Sequence, residues 1–209
     1  MPTIKIFEVK KNLKIEEIVK AVNGKKFEDF WLTAKVSKYN EKEVFIQYWF
    51  YADMEKVLKK VLDVDELEQV VSILKEKGKQ KLLKRVYAFI NTHTHTLEIY
   101  SKTQAEKIKE VLEQLLDTEF FEIALGLDNF EKLGSSHSNK TKTIGKDRIT
   151  FQPKIKYLTD NKRYFVTINK NAEIKLSSNE IFTFRPRFEI RQIVFMISTT
   201  KGFLDGQKV

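Results

Sequence analysis

The sequence predicts an α+β protein: a ferredoxin-like βαββαβ amino-terminal element, extended by a hairpin and a helix, then a mostly antiparallel β-rich carboxyl-terminal module. Three observations carry this. Up to residue 125 the apolar spacing switches repeatedly between a helical period and alternation. From residue 149 onward alternation dominates. Between them, GSSHSNKTKTIGKDR (134–148) is polar, basic and nearly devoid of apolar residues, which predicts a loop. The expected division is therefore 1–127, an α+β domain; 128–148, a basic polar loop; and 149–209, a β-rich module.

Ile4, Ile6 and Phe7 predict a first strand. Leu13, Ile15, Ile18, Val19 and Val22 follow at helical spacing, and Asn23-Gly24 supplies a stop. Phe30 to Ser37 and Val44 to Tyr51 flank the polar stretch KYNEKE as a hairpin. Met54, Val57, Leu58, Val61 and Leu62 begin a helical stretch. It resumes after Asp63 or Asp65, either of which can cap a helix, through Leu67, Val70, Val71 and Leu74 to Gly78. Arg85 to Ile90 is a strand, and Leu97 to Tyr100 its hairpin partner, with NTHTHT at the turn. Thr103 and Glu106 form a capping-box pattern ahead of Ile108, Val111, Leu112, Leu115 and Leu116. Phe120 to Leu125 is the next strand. Val57, Leu58, Leu62 and Asp63 are echoed 54 positions later by Val111, Leu112, Leu116 and Asp117, a match better explained by convergence than by duplication.

In the carboxyl-terminal part Ile149, Phe151, Ile155 and Tyr157 alternate with polar residues. TDNK makes a turn into RYFVTIN, and INKNAEIKL suggests another. IFTFRPRFEIRQIVFMIS reads as one long bent strand or two, with Pro186 at an edge or bulge.

The composition excludes several classes. In 209 residues there is no cysteine, which removes disulfide frameworks, thiolate metal sites and a Cys nucleophile. Seven glycines and three prolines leave no room for linker-rich architecture. Uninterrupted apolar runs such as Ile193 to Ile197 fall far short of the ~18 residues of a spanning helix. The charged opening MPTIKIFEVKKNLK lacks the apolar core of a signal peptide. The expected setting is soluble, intracellular and cytoplasmic, without a membrane partner.

The net charge is +9. Between residues 134 and 170 nine basic residues face only Asp147 and Asp160. Strand alternation would put Lys154 and Lys156 on one face, and Arg185, Arg187 and Arg191 on another. Pooled with Lys140, Lys142, Lys146, Arg148, Lys162 and Arg163, they would form a cationic surface for phosphate backbones. The KEKGKQKLLKR run (75–85) reads instead as ordinary complementation of a helix dipole. In QYWFY, Tyr48 and Phe50 face one way and Trp49 and Tyr51 the other. Such a strand can present rings to unpaired bases, but core packing is the commoner reason for it.

Catalytic motifs are missing. No phosphate loop, dinucleotide turn, nucleophile elbow or HExxH helix is present. His93 and His95 flank Thr94 in an expected turn and lack further ligands nearby, so no metal or other cofactor is expected. The expectation is thus a non-catalytic nucleic-acid-binding protein contacting DNA or RNA backbones. The alternatives are a structural or assembly subunit with a protein partner or a second copy of itself, and a metal-dependent nuclease built from distant carboxylates.

Overall fold

The computed structural model describes residues 3–59, 62–78, 80–153, 164–178 and 188–199. The chain opens with β1 (Thr3–Val9), α1 (Ile15–Val22), β2 (Phe30–Val36) and β3 (Glu43–Asp53). Next come α2 (Met54–Leu58), α3 (Val64–Glu76), β4 (Lys81–Asn91), β5 (Thr96–Ile99), α4 (Ala105–Leu116) and β6 (Phe120–Glu122). The rest comprises α5 (Leu127–His137), β7 (Ser138–Ile144), β8 (Arg148–Pro153), β9 (Tyr164–Asn169), β10 (Glu173–Ser178) and α6 (Phe188–Ser198).

The strands form one sheet of order β2-β3-β4-β5-β1-β10-β9-β8-β7, with β6 alongside β1. Among the described residues every strand pairing is antiparallel. The strand order, not the direction, departs from the ferredoxin-like expectation: such an element, also antiparallel between neighbours, inserts its first strand between its third and fourth, whereas here β4 pairs directly with β3 and β1 lies beyond β5. The α+β class stands. The reason for the difference lies in β3 and β4, which pair along their whole length from Glu43↔Asn91 to Asp53↔Lys81. The helices α2 and α3 are an excursion at the closed end of that long hairpin, where the Met54 N–H donates to the Gln80 carbonyl at 2.9 Å. Periodicity names elements, not the order in which strands pair.

Alternation along β1 divides the molecule. Phe7 and Val9 join a core with Leu32, Ile46, Tyr48, Ala88 and Leu97, covered by Ile18 and Val22 of α1 and Ile108 and Leu112 of α4. Ile4 and Ile6, on the other face, join Phe151, Val166, Ile168 and Ile174, covered by Phe130 and Leu133 of α5 and Ile193, Val194 and Ile197 of α6. The helices therefore cover opposite faces of the two halves.

Several local expectations hold. Asp63 caps α3 in a reciprocal capping box with Glu66. Gly24 and Gly78 take φ of +75° and +64° where their helices end. β4 and β5 pair around residues 92–95. Others are corrected. Gln104 precedes α4 without a side-chain cap, and Glu106 pairs with Lys5 rather than closing a box with Thr103. The offset-54 echo dissolves, because Asp63 starts a helix while Asp117 ends one at φ +47°.

The polar stretch 134–148 is not a loop: it completes α5 and supplies β7. The terminal segment from Phe188 is helical, not a strand. The strand and turn expectations for 154–163, and the segment 181–187 with Pro186, lie outside the described residues. No helix among the described residues is long and apolar enough to cross a membrane.

Arg191 of α6 ties the halves together. Its guanidinium donates to Glu43 of β3, Glu98 of β5 and the Tyr100 hydroxyl, and lies 3.7 Å from the centre of the Phe89 ring. Burial pushes the carboxyls of Glu43 and Glu98 above the usual carboxylate range, and the adjacent guanidinium pulls both partly back. Two carboxylates facing one cation leave an excess negative charge if both ionise.

Removing the cation strands both carboxylates. Arg191→Met is expected to cost about 3–5 kcal/mol in urea denaturation. A raised folded-state pKa means that the folded chain holds its protons more tightly than the unfolded one. The cluster's contribution to stability is therefore fully present below about pH 4.5 and declines as pH rises through the raised values. In a series of thermal melts upward from that pH, Glu98→Gln should flatten this decline, and an unchanged slope would refute the assignment.

Candidate nucleic-acid interface

Because α1 and α4 cover one face of β2–β4, alternate residues of those strands emerge on the other. Register aligns them in rows: Trp31–Trp49–Arg85, Thr33–Gln47–Tyr87 and Lys35–Phe45–Phe89. The Trp31 and Trp49 rings are parallel, at 2° and 5.9 Å between centroids. Tyr51 tilts against Trp31 at 5.9 Å. The Arg85 guanidinium lies 5.1 Å from the Trp49 ring and 5.2 Å from the Tyr87 ring. Lys35 stands 5.8 Å from the Phe45 ring, which stacks on Tyr87 at 5.7 Å.

Exposure is graded across this face. Tyr87 and Phe89 are buried toward Arg191. At the opposite end both indoles are half-buried, and Tyr51 is 52% exposed. Large rings backed by a sheet, with cations held against them, offer planar stacking surfaces and positive charge within one strand spacing.

Lys154, Lys156, Lys162, Arg163, Arg185 and Arg187 lie outside the described residues. Lys140 and Lys142 are on β7, with Lys140 in register with Gln152 of β8. Lys146 and Arg148 are exposed where β7 turns into β8, and the intervening Asp147 pairs with Lys170 at 3.5 Å. Arg191 is a correction. At 7% side-chain exposure and bound to two carboxylates, it is withdrawn from any phosphate. It sits on a helix, so strand alternation with Arg185 and Arg187 does not apply to it.

His93 and His95 are exposed in the β4–β5 turn, His95 at φ +51°. Among the described residues no group of three or more His, Asp or Glu side chains is placed to hold a metal ion. Glu43 and Glu98, drawn together from distant strands, are engaged by Arg191 instead.

Sequence reasoning undervalued Trp31, Lys35 and Arg85. Their signal was present in the hairpin register, since folding FWLTAKV against VFIQYWF about KYNEKE sets Trp31 opposite Trp49. Arg85 falls both at the start of an expected strand and at the end of the basic 75–85 run; the structure bears out the strand, and the charge belongs to the sheet face rather than to a helix end.

Compared with models of known protein families the chain matches none, and compared with curated proteins it also matches none. What defines it is thus its own geometry: an antiparallel sheet with helices on opposite faces of its two halves, and an aromatic, cationic face that no helix covers at the Trp31–Trp49 end among the described residues.

The indole pair should be energetically coupled. A double-mutant cycle with Trp31→Ala and Trp49→Ala, followed by urea unfolding, is expected to give a coupling of about 0.5–1.5 kcal/mol. Strict additivity would show that the rings are neighbours without mutual stabilisation.

Proposed function

We propose that this chain binds single-stranded nucleic acid without catalysis, stacking unpaired bases on the open face of β2–β4. The observation that carries the reading is the parallel Trp31–Trp49 pair, flanked by Tyr51 and by Arg85 held between two rings. Base–aromatic stacking contributes about 1–3 kcal/mol per base and tolerates any sequence. Lys35 and Arg85 supply local positive charge, and the net +9 supplies a long-range field that speeds encounter with a polyanion. Lys140, Lys142, Lys146 and Arg148 act in this reading as auxiliary backbone contacts or steering charges. The role goes with an intracellular, cytoplasmic setting, where such strands are found.

Affinity for a labelled single-stranded oligonucleotide should exceed that for the matching duplex, and should fall steeply with added salt. Trp49→Ala is expected to weaken single-strand binding by about tenfold or more, with the fold retained by circular dichroism. Replacing Lys140, Lys142, Lys146 and Arg148 together should flatten the salt slope more than it changes single-strand preference. Fluorescence anisotropy reads all three. Failure to retain any oligonucleotide at low salt, or indifference to Trp49→Ala, would end the proposal.

A further inference from the structure

A second site lies at the closed end of the β3–β4 hairpin, on the opposite side of β3 from the indole pair. There α2 and α3 arch over the sheet and leave a cavity of about 690 Å³, a volume suited to a nucleotide-sized ligand. Its floor is Tyr48 and Phe50, and its roof includes Val71 and Leu74 of α3. Of the apolar residues of α3, Leu67 alone is buried, and Val71 and Leu74 face this space instead of a packed core.

Two observations point to a ligand. Tyr48 is fully buried, yet its hydroxyl has no hydrogen-bond partner. A phenylalanine there would fold better, because a buried, unpaired polar group opposes folding. Burial, with the charge of Asp29 nearby, pushes the Tyr48 pKa up to about 12, so this hydroxyl remains a neutral donor. Second, the cavity is ringed by Lys56, Lys75, Lys81 and Lys107. The first three make no ion pair among the described residues, and Lys107 stands 5.0 Å from the Phe30 ring. Of the acids at the rim, Glu55 pairs with Lys59, which leaves Asp29 and Asp53, the latter also capping α2, against four lysines.

We propose that this cavity binds a phosphorylated aromatic ligand of nucleotide size. Its ring lies between Phe50 and the apolar side of α3, a polar ring or sugar atom meets the Tyr48 hydroxyl, and its phosphate is held by Lys56, Lys75 and Lys81. A free nucleoside phosphate and the phosphorylated end of a nucleic-acid strand share this chemistry. The site stands independently of the stacking face.

The test is calorimetric titration of the intact chain with the four nucleoside monophosphates, and with inorganic phosphate alone. Saturable binding of at least one monophosphate is expected, far tighter than that of inorganic phosphate. Lys75→Ala/Lys81→Ala and Tyr48→Phe should each weaken it about tenfold or more. Tyr48→Phe should melt at or above the parent temperature, an outcome that a structural role for the hydroxyl would not give. Trp49→Ala should leave monophosphate affinity unchanged, which separates this site from the stacking face. Preference for a 5′-phosphorylated over an unphosphorylated oligonucleotide, lost in the lysine variant, assigns the ligand to a strand end, and equal affinities assign it to the free nucleotide. No saturable binding of any monophosphate, or affinities unchanged in both cavity variants, overturns the proposal.

Discussion

The architecture depends on one seven-residue strand buried on both faces. β1 gives Ile4 and Ile6 to one core and Phe7 and Val9 to the other. A shift of one residue would exchange these sets and empty both cores together, so register here is specified twice. The same constraint decides where helices can lie. Each half packs its main apolar core on the face that β1 assigns to it, and most of the reverse face, apart from the cluster around Arg191, is left to other uses. In the first half that reverse face carries indoles; in the second it carries Thr150, Thr167 and Lys175 across adjacent strands.

This arrangement shifts the weight of the candidate interface from charge to stacking. Solvated lysines at the surface interact weakly and are screened over about 8–10 Å at ordinary ionic strength. A cation lodged against aromatic rings is partly dehydrated and contributes more per residue. Arg85 is of the second kind, whereas Lys146 and Arg148 are of the first, with Asp147 between them. Arg191 shows the limit of counting charges along a chain. It contributes to the total of basic residues, yet its field ends on Glu43 and Glu98.

Most elements through residue 116 were legible, because each carries a clear apolar stripe or alternating face in its sequence, even where, as in α2 and α3, little of it is buried. Pairing was not, since the antiparallel β3–β4 ribbon and a split βαβ unit share the same order of periods. β7 escaped notice because its sequence, SNKTKTI, has almost no apolar alternation, as suits a strand at the sheet's end. α6 was misread for the opposite reason. FEIRQIVFMIS is apolar on nearly every side and rich in β-branched residues, so no polar face marks its period. Of the interface, the facing of Trp49 and Tyr51 was readable from alternation. The company they keep required knowing that Trp31 and Arg85 stand across from Trp49.

The clamp on α6 also bears on how the chain is made. A ribosome releases residues 43 and 98 well before residue 191, so the nascent amino-terminal half meets water with two glutamates whose counter-ion has not yet been synthesised. Until it arrives, closing that part of the sheet would bury two carboxyls without their cation, at the cost of desolvating or protonating them. α6 thus bears on maturation: the face of the sheet that carries Glu43 and Glu98 gains its counter-ion only when Arg191 has been made.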